Sequence, residues 1–332
     1  MPHPDRYLVI GSNSFSGSDF IDLLLENPEN EVIGVSRSPV KPPLFLRYKR
    51  HVKPRFRFYQ IDLNRDLPSL LQVMDRERPA YVAHFAALLE PGYSWQNPEQ
   101  WFQTNVMSLV RLADHLKNQS YLERYMHIST PEVYGSCHGV VKEDAPLNPS
   151  TPYAASKAAG DLFLFTLVKA FSFPMVMIRS TNVYGAHQQL YRIIPRAIIC
   201  LRTAQLIPLH GGGMAIKSYI HIRDVSRGEL AALTQGKPGS IYHLSPDRGI
   251  AIRDLVRLIC DRMGKRFEEA TRSSDERLGQ DAAYVIDSSR ARQELGWAPL
   301  ISLEEGLDEV ATWIERHWGE IQLQPLEYEH RF

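Results

Sequence analysis

Cysteine is scarce in this chain of 332 residues. Its three cysteines, Cys137, Cys200 and Cys260, are odd in number, far apart in sequence and form no C-x-x-C pair. This pattern excludes a disulfide-stapled secreted domain and a cysteine-rich zinc module, and it is typical of reduced thiols. The twelve histidines show no ligand spacing with cysteine or acidic residues, so the sequence predicts no metal site.

The chain also lacks an excess of charge of one sign and any long apolar run. Lys and Arg together number 38, and Asp and Glu also number 38, so no overall field attracts nucleic acid or an anionic membrane. No apolar run approaches the length of a membrane-spanning helix, and the first residues do not have the layout of a signal peptide. We therefore expect a cytoplasmic protein that binds neither nucleic acid nor a membrane.

Apolar strands alternate with amphipathic helices through the first half of the chain. The predicted elements are, in order, strand Tyr7–Ile10, helix Ser18–Glu26, strand Glu31–Val35, strand Phe56–Ile61, helix Leu67–Arg78, strand Tyr81–Phe85, helix Pro98–Asn118, strand Tyr125–Ile128, helix Pro152–Ala170 and strand Met175–Ile178. Strands alternating with helices of this length are typical of parallel βαβ units. The predicted fold class is α/β, with a doubly wound parallel Rossmann sheet.

The pattern becomes less regular in the second half. We predict helices at Ile193–Arg202 and Ile252–Met263, a strand at Ile241–Leu244, and a last helix that begins at the capping box of Ser302 and Glu305 and reaches about Trp318. A dinucleotide-binding domain is expected over residues 1–180, with a later contribution from about 219–245. Residues 181–332 are expected to form mainly a smaller α/β substrate-binding lobe, with the tail after residue 321 wrapping the surface.

A glycine-punctuated turn lies between the first strand and the first helix. Glycines at this place allow a tight turn and a close backbone approach to pyrophosphate, whose charge is stabilised by amides at the helix N-terminus. Ser14 stands where a G-x-x-G-x-x-G turn has its middle glycine, and serine can serve there if its φ is negative. The alternative is an ordinary glycine turn. The predicted dinucleotide contacts are Gly11, Asn13, Ser14, Phe15, Ser16 and Gly17.

The residues after the second strand bear on the choice between NAD and NADP. The run Val35-Ser36-Arg37-Ser38 has no acidic residue to bind the ribose 2′-hydroxyl of NAD, and Arg37 suits the 2′-phosphate of NADP. We therefore expect NADP or NAD, with NADP slightly favoured. Alternatively, Arg37 is an exposed side chain beside NAD. Asp62 and Leu63, after the third strand, are the expected adenine contacts.

One stretch of the sequence is strongly basic. Between Lys41 and Arg57 the chain carries seven Lys or Arg residues and no acidic residue. We interpret the stretch as a solvated connection between the second and third strands. The alternatives are a phosphate contact near the cofactor ribose and an interface with another protein.

Two segments about twenty residues apart carry groups suited to hydride transfer at a sugar alcohol. The first places Ser129, Thr130 and Glu132 at the end of a strand, and the second places Tyr153 and Lys157 on one face of a helix. Tyr153 as a base at neutral pH needs its pKa lowered by about 3 units, or about 4 kcal/mol. Lys157 and the nicotinamide charge are expected to supply that stabilisation. The alternative is a solvated Tyr and Lys without a catalytic role.

Three of these residues have narrower expected roles. Thr130 is expected to bond the reacting hydroxyl, and Ser129 to touch the nicotinamide region. Glu132 distinguishes between reactions, because alcohol oxidation and 4-epimerisation need no carboxylate, whereas removal of a proton next to a new ketone does. For the substrate diphosphate, cationic and amide donors are expected, and the candidates are Asn182, Arg192, Lys217 and Arg277.

These residues resemble those of the extended short-chain dehydrogenase/reductases, and within them the nucleotide-sugar 4,6-dehydratases. The resemblance covers nearly the whole chain and includes the phosphate turn, His84-Phe85-Ala86-Ala87, Thr104-Asn105-Val106, Ser129–Gly135, the Tyr153–Lys157 pair, Arg179–Gly185, Ile194-Pro195, Ile220–Val225 and Asp287–Trp297. It is closest in pattern to dTDP-glucose 4,6-dehydratases, with GDP-mannose 4,6-dehydratases near behind. It implies a homodimer, a cofactor contact at Ala86 and a sugar contact at Ser94.

The resemblance implies a three-step dehydration of a nucleotide-diphosphate hexose, most simply dTDP-glucose, to its 4-keto-6-deoxy product. Tyr153, Lys157 and Thr130 would serve C4 oxidation, and Glu132 would remove the C5 proton before water leaves from C6. Hydride would then return to C6. Pro131 stands where the dTDP-glucose enzymes have an acidic residue, so the acid that expels the hydroxyl is unassigned. The alternatives are an epimerase or a UDP-glucuronate-type decarboxylase, and more remotely a non-catalytic dinucleotide-binding protein.

Overall fold

A parallel sheet of seven strands forms the centre of the molecule in the computed structural model, which describes residues 5–52, 54–136, 139–275 and 285–330. The strand order is β7-β6-β5-β4-β1-β2-β3, and every neighbouring pair is parallel. The strands are β1 (Arg6–Ile10), β2 (Glu31–Ser36), β3 (Phe56–Gln60), β4 (Tyr81–His84), β5 (Arg124–Ile128), β6 (Met175–Ser180) and β7 (Ile241–Leu244). The predicted doubly wound α/β fold is confirmed.

Helices cover both faces of this sheet and build the second half of the chain. The longer helices are α1 (Phe15–Leu24), α2 (Leu67–Glu77), α3 (Ser108–Leu116), α4 (Pro152–Phe171), α5 (Ile193–Arg202), α6 (Ile222–Gln235), α7 (Ile252–Arg262), α8 (Ser289–Leu295) and α9 (Leu303–Arg316). Short helical pieces lie at Pro43–Phe45, Arg47–Arg50, Pro91–Ser94, Pro98–Phe102, Gln103–Met107, Pro131–Tyr134, Gly211–Gly213, Phe267–Ala270 and Trp318–Ile321.

Four two-stranded sheets complete the secondary structure of the described residues. They pair Asn182–Tyr184 with Tyr219–His221, Ile207–His210 with Thr271–Ser274, Ile216–Lys217 with Ile250–Ala251, and Val140–Val141 with Val285–Ile286. The central sheet takes its strands from residues 6–180 and from Ile241–Leu244. The exact division into domains at residue 180 stays a prediction.

The apolar core has two parts on the sheet and one in the second half of the chain. Phe20 on α1 and Leu233 on α6 are buried on one face of the sheet, and Leu70 on α2 and Leu164 on α4 are buried on the other. The third part joins α5, α7 and α9, where Val310 is fully buried. Because parallel strands are buried on both faces, β1 and β6 read as nearly continuous apolar runs in the sequence.

Two helices differ from their prediction. The segment predicted as one helix, Pro98–Asn118, is interrupted by a π-helical turn at Gln103–Met107. Helix α6 is absent from the prediction, because Asp224, Ser226 and Glu229 on its buried face interrupt the apolar pattern. The capping box of Ser302 and Glu305 is confirmed, and α9 ends at Arg316.

The basic stretch connects β2 and β3 and exposes most of its described cations, as the sequence predicts, but part of it is also packed on α1. Leu44, Leu46 and Tyr48 are buried, and the short helical turn Arg47–Arg50 packs against α1. The guanidinium group of Arg50 donates two hydrogen bonds, 2.7 and 2.9 Å long, to the carboxylate of Asp22, whose side chain is fully buried. Arg47 and Arg50 of this stretch therefore neutralise acidic residues on α1.

We predict that Asp22 makes a large contribution to stability. Burial by itself raises the pKa of Asp22, but the hydrogen bonds from Arg50 and Arg223 outweigh it and hold the pKa below its usual value. A lowered folded-state pKa stabilises the protein above the unfolded pKa, and this stabilisation is lost as pH falls through the folded pKa. D22N should lower the free energy of unfolding by about 3 kcal/mol, because it removes the fully buried carboxylate that Arg47, Arg50 and Arg223 share.

Unfolding in urea at neutral pH measures this change. The matched control is D254N, since Asp254 pairs with Arg257 at 3.6 Å on the exposed surface of α7. The control should change the free energy of unfolding by less than about 1 kcal/mol. Equal effects of the two substitutions would contradict the importance of the buried cluster.

None of the described helices combines the length and apolar character needed to cross a membrane. The predicted cytoplasmic location stays a prediction.

Candidate active site

A cavity of about 520 Å³ opens at the carboxyl ends of the central strands. It lies where the strand order reverses between β1 and β4, which is the place at which open α/β sheets bind ligands. Its lining includes most of the predicted cofactor residues, namely Gly11, Asn13, Ser14, Arg37, Asp62, Leu63 and Ala86. Phe15, Ser16 and Gly17 form the first turn of α1 behind this surface.

The turn between β1 and α1 has the geometry of a phosphate cradle. Gly11 has φ +90°, and a Cβ atom there would lie 2.7 Å from the backbone nitrogen of Ala86. A Cβ atom on Gly17 would lie 2.4 Å from the carbonyl oxygen of Gly11. Ser14 has φ −74°, so it meets the condition set for a serine in the middle position, and its hydroxyl accepts the amide hydrogen of Gly17 at 3.0 Å.

The end of β2 closes the cavity on the ribose side. The amide of Asn13 donates to the Ser36 hydroxyl at 2.9 Å, and the Asn13 side-chain nitrogen donates to the carbonyl oxygens of Ser38 and Pro39. The Asn13 Oδ1 atom is buried and has no hydrogen-bond partner among the described residues. An acceptor left in this position suits a hydroxyl of a bound nucleotide, so the residues fit a dinucleotide.

The predicted catalytic residues come together from the end of β5 and the start of α4. Thr130 and Glu132 lie on the tight turn that follows β5, and the Thr130 hydroxyl accepts the amide hydrogen of Glu132 at 3.2 Å. Thr151 caps α4 by accepting the Ala154 amide hydrogen at 3.1 Å. This cap places Tyr153 in the first turn, where its phenol is hydrogen-bonded to Thr130.

Burial governs the electrostatics of Tyr153 and Lys157. Burial raises the pKa of Tyr153 above its usual value and the charge of Glu132 raises it further, while the bond to Thr130 and the charge of Arg192 oppose the shift. Burial also lowers the pKa of Lys157 to about 8. The expected stabilisation of the Tyr153 phenolate by Lys157 stays a prediction. The Nζ atom of Lys157 donates to the carbonyl oxygen of Ile128 at 2.8 Å.

A buried ion pair lies beneath the site, and the sequence analysis missed it. The carboxylate of Asp161 accepts hydrogen bonds from the Ser129 hydroxyl at 2.6 Å and from Arg179 at 2.8 Å. Asp161 lies one helical turn after Lys157 on α4, and this i, i+4 spacing is the signal that could have revealed it. The contact of Ser129 with the nicotinamide region stays a prediction.

The predicted substrate residues divide into two groups. Asn182 and Lys217 lie near each other, because the strand that begins at Asn182 pairs with Tyr219–His221 and the Asn182 side chain donates to the Ser218 carbonyl at 3.2 Å. Arg192 lies elsewhere, in an ion pair with Glu90 at 2.5 Å. Ser94 is fully buried and donates to the Pro91 carbonyl, and Arg277 lies outside the described residues.

The tail after α9 lies across the cavity as well as over the surface. Glu327, Tyr328 and Glu329 line the cavity. The imidazole of His330 stacks on Trp101 with ring centroids 5.1 Å apart, and Glu327 pairs with Arg196 at 2.7 Å. The tail therefore bridges the sheet domain and the second half of the chain, which its polar and aromatic composition did not reveal.

The fold and the Thr130–Tyr153–Lys157 site define an extended short-chain dehydrogenase/reductase. The described residues contain no cluster of His, Cys, Asp or Glu that could hold a metal ion.

Comparison with known proteins agrees with this class. Residues 8–310 match the family model described as GDP-mannose 4,6 dehydratase, and the chain belongs to that family. The dTDP-glucose 4,6-dehydratase of Streptomyces griseus is 31% identical over 321 residues, which are 94% of this chain and 95% of that protein. The chain is a nucleotide-sugar 4,6-dehydratase that depends on NAD(P).

Two solved structures are similar over nearly the whole chain. The dTDP-glucose 4,6-dehydratase of Streptomyces venezuelae, solved with NAD bound, has a TM-score of 0.89 at 29% identity and covers 97% of this chain and 100% of its own. The UDP-glucuronic acid 4-epimerase of Bacillus cereus, in complex with UDP-glucuronic acid and NAD, has a TM-score of 0.84 at 27% identity and covers 94% and 99%.

We predict that activity falls above about pH 8, because the pKa of Lys157 is lowered to about 8 by burial. Below that pH the Lys157 side chain is positively charged and can contribute to catalysis. Above that pH the charge is lost. The pH profile of kcat/KM measures this limb. In K157R the charge persists to above about pH 12, so any residual activity should lack the alkaline limb. An unchanged limb in K157R would show that another group titrates.

Proposed function

We propose that this dehydratase converts dTDP-glucose to dTDP-4-keto-6-deoxyglucose. The observation that carries the proposal is the placement of Glu132 beside Tyr153, with Thr130 bonded to the phenol. A carboxylate next to the hydride-transfer tyrosine is what water loss requires and what oxidation alone does not. The named activity of the similar Streptomyces proteins supports the choice of sugar and nucleotide.

The first chemical step is removal of the proton from the C4 hydroxyl. Thr130 and Tyr153 bind that hydroxyl, and the phenolate oxygen of Tyr153 accepts its proton. When bound, the oxidised cofactor supplies a hydride acceptor and a positive charge that the protein alone does not provide. Such a charge is needed, because burial and Glu132 hold the pKa of Tyr153 above its usual value in the protein alone.

Glu132 carries out the proton transfers of the elimination. A ketone at C4 acidifies the C5 proton, which the Glu132 carboxylate removes. The same carboxyl group then protonates the departing C6 hydroxyl, since Pro131 has no proton to give and Glu90 is held by Arg192. One carboxyl group thus serves as base and then as acid, and water leaves from C6. Return of the C4 hydride to C6, with a proton delivered to C5 from solvent in exchange for the one that Tyr153 accepted, gives the 4-keto-6-deoxy product.

Replacement of Glu132 by glutamine separates the steps of this mechanism. E132Q should lose at least about 100-fold in dehydration rate, because general-base catalysis contributes factors of this size. It should still reduce the bound cofactor when dTDP-glucose is added, whereas Y153F should do neither. Mass spectrometry follows the loss of water and absorbance follows the reduced cofactor. Normal dehydration by E132Q would exclude Glu132 as the base.

We also infer that the ribose end of the cavity accepts NADP at least as well as NAD. Arg37 and Lys41 line that end together with the Ser36 and Ser38 hydroxyls, and no acidic residue follows β2 in the sequence. A 2′-phosphate is stabilised by cationic and hydroxyl donors of this kind.

Titration of the protein with both cofactors tests the inference. R37Q should raise the Kd for NADP about tenfold, the effect of losing ~1.4 kcal/mol from one charge-assisted contact, and should leave the Kd for NAD nearly unchanged. R257Q, on the exposed face of α7, serves as the control for loss of charge. Equal loss of affinity for both cofactors in R37Q would contradict a 2′-phosphate role.

A homodimer is the assembly that we infer for this enzyme. The helical segment after Pro98 and the neighbouring helix α4 expose large apolar side chains on their outer surfaces, namely Phe102 (40%), Met107 (43%), Leu162 (59%) and Phe171 (53%). Apolar groups on two adjacent helices suit a helix-to-helix contact between copies of the chain.

A further inference from the structure

Glu90 and Arg192 form an ion pair at the inner end of the cofactor cavity. An Nη atom of Arg192 lies 2.5 Å from Oε1 of Glu90, and both side chains are partly buried, with 35% and 18% of their surfaces exposed. Glu90 lines the cavity. Arg192 acts electrostatically on both Tyr153 and Glu132, so the pair lies beside the groups that react with the sugar.

The backbone holds Glu90 in a fixed and unusual position. Glu90 has φ 60° and ψ 80°, in the left-handed region that residues other than glycine seldom adopt. Asn105 binds both the amide and the carbonyl of Leu88, at 2.8 and 3.0 Å, and the indole of Trp101 donates to the Leu89 carbonyl at 2.7 Å. The Glu90 carbonyl in turn accepts the amide hydrogen of Tyr93 at 3.1 Å.

The Glu90–Arg192 pair determines the net charge of the protein next to C4, C5 and C6 of a bound sugar. Tyr153 serves C4 and Glu132 serves C5, so a cation next to both is well placed for a substituent at C6. A hexuronate carries a C6 carboxylate, which requires a cation for binding. Arg192 would be that cation, but Glu90 neutralises it and leaves the negative charge of Glu132 uncompensated by that cation.

We propose that Glu90 is a specificity-determining residue that occupies Arg192 and so makes the site select nucleotide sugars with a neutral C6 hydroxymethyl group over nucleotide hexuronates. The inference rests on the proposed function for the identity of the reacting edge of the sugar. This selectivity against hexuronates would distinguish the chain from proteins of the same fold that bind UDP-glucuronic acid, such as the Bacillus cereus epimerase.

Calorimetric titration of the NAD-loaded protein with UDP-glucose and with UDP-glucuronate tests the proposal. The wild type should bind UDP-glucose more tightly. E90Q frees Arg192 and should lower the Kd for UDP-glucuronate about tenfold or more, with the Kd for UDP-glucose changed less than about threefold. E99Q is the matched control, because Glu99 is an exposed carboxylate in the nearby helix Pro98–Phe102 and should leave the ratio of the two Kd values unchanged.

A second substitution shows whether the gain depends on Arg192. In E90Q/R192Q the improved binding of UDP-glucuronate should disappear, since the freed cation is removed as well. If E90Q does not purify as folded protein, E90S can replace it, because serine also removes the carboxylate and should give the same change in the two Kd values. The proposal would be overturned if E90Q, or E90S in its place, left the ratio of the two Kd values unchanged. It would also be overturned if the wild type preferred UDP-glucuronate.

A different result would contradict the proposed function. A wild type that binds UDP-glucose preferentially, yet releases no water from any hexose, would contradict the dehydration of dTDP-glucose and leave the role of Glu90 supported by its Kd ratio. A wild type that binds none of UDP-glucose, UDP-glucuronate and dTDP-glucose would overturn both.

Discussion

The buried ion pair between Asp161 and Arg179 is the interaction on which the active site depends. Their side chains are 0% and 1% exposed, so each charge is compensated only if the partner stays in place. Asp161 belongs to α4, Arg179 belongs to β6, and the Ser129 hydroxyl at the end of β5 donates to the same carboxylate. One contact therefore fixes three elements relative to one another, including the helix that carries Tyr153 and Lys157.

Charge compensation of this kind extends from the core into the cleft. Asp22 is neutralised by the basic turn Arg47–Arg50, and Glu90 is neutralised by Arg192. Glu132 acts on Tyr153 as a negative charge that disfavours the phenolate, and Arg192 interacts electrostatically with Glu132 as well as with Glu90. One cation is therefore shared by two neighbouring carboxylates.

The local sequence was enough to predict the elements that depend on local patterns. The strand Ile241–Leu244 and the helix Ile193–Arg202 were predicted to the residue, and the Ser302 capping box was found from its spacing. Helix α6 was missed, because its buried polar face is satisfied by distant residues such as Asp19, which accepts a hydrogen bond from Ser226 at 2.7 Å.

The same limit applies to the candidate site. Thr130 and Tyr153 were predicted from a strand end and a helix cap, which fix them locally. The Glu90–Arg192 pair joins residues about a hundred positions apart, and the path of the tail over the cavity depends on Trp101. Neither contact leaves a pattern in the sequence, because each arises only when the two halves of the chain come together.

The measurement that tests the account most directly is mass spectrometry of the purified protein after incubation with dTDP-glucose and, separately, with UDP-glucuronate, GDP-mannose and CDP-glucose. The account predicts that dTDP-glucose loses the mass of one water and that UDP-glucuronate is unchanged. An isomer of unchanged mass from dTDP-glucose would contradict the role of Glu132 and indicate an epimerase. Release of carbon dioxide from UDP-glucuronate would contradict both the dehydration and the charge selectivity of the site.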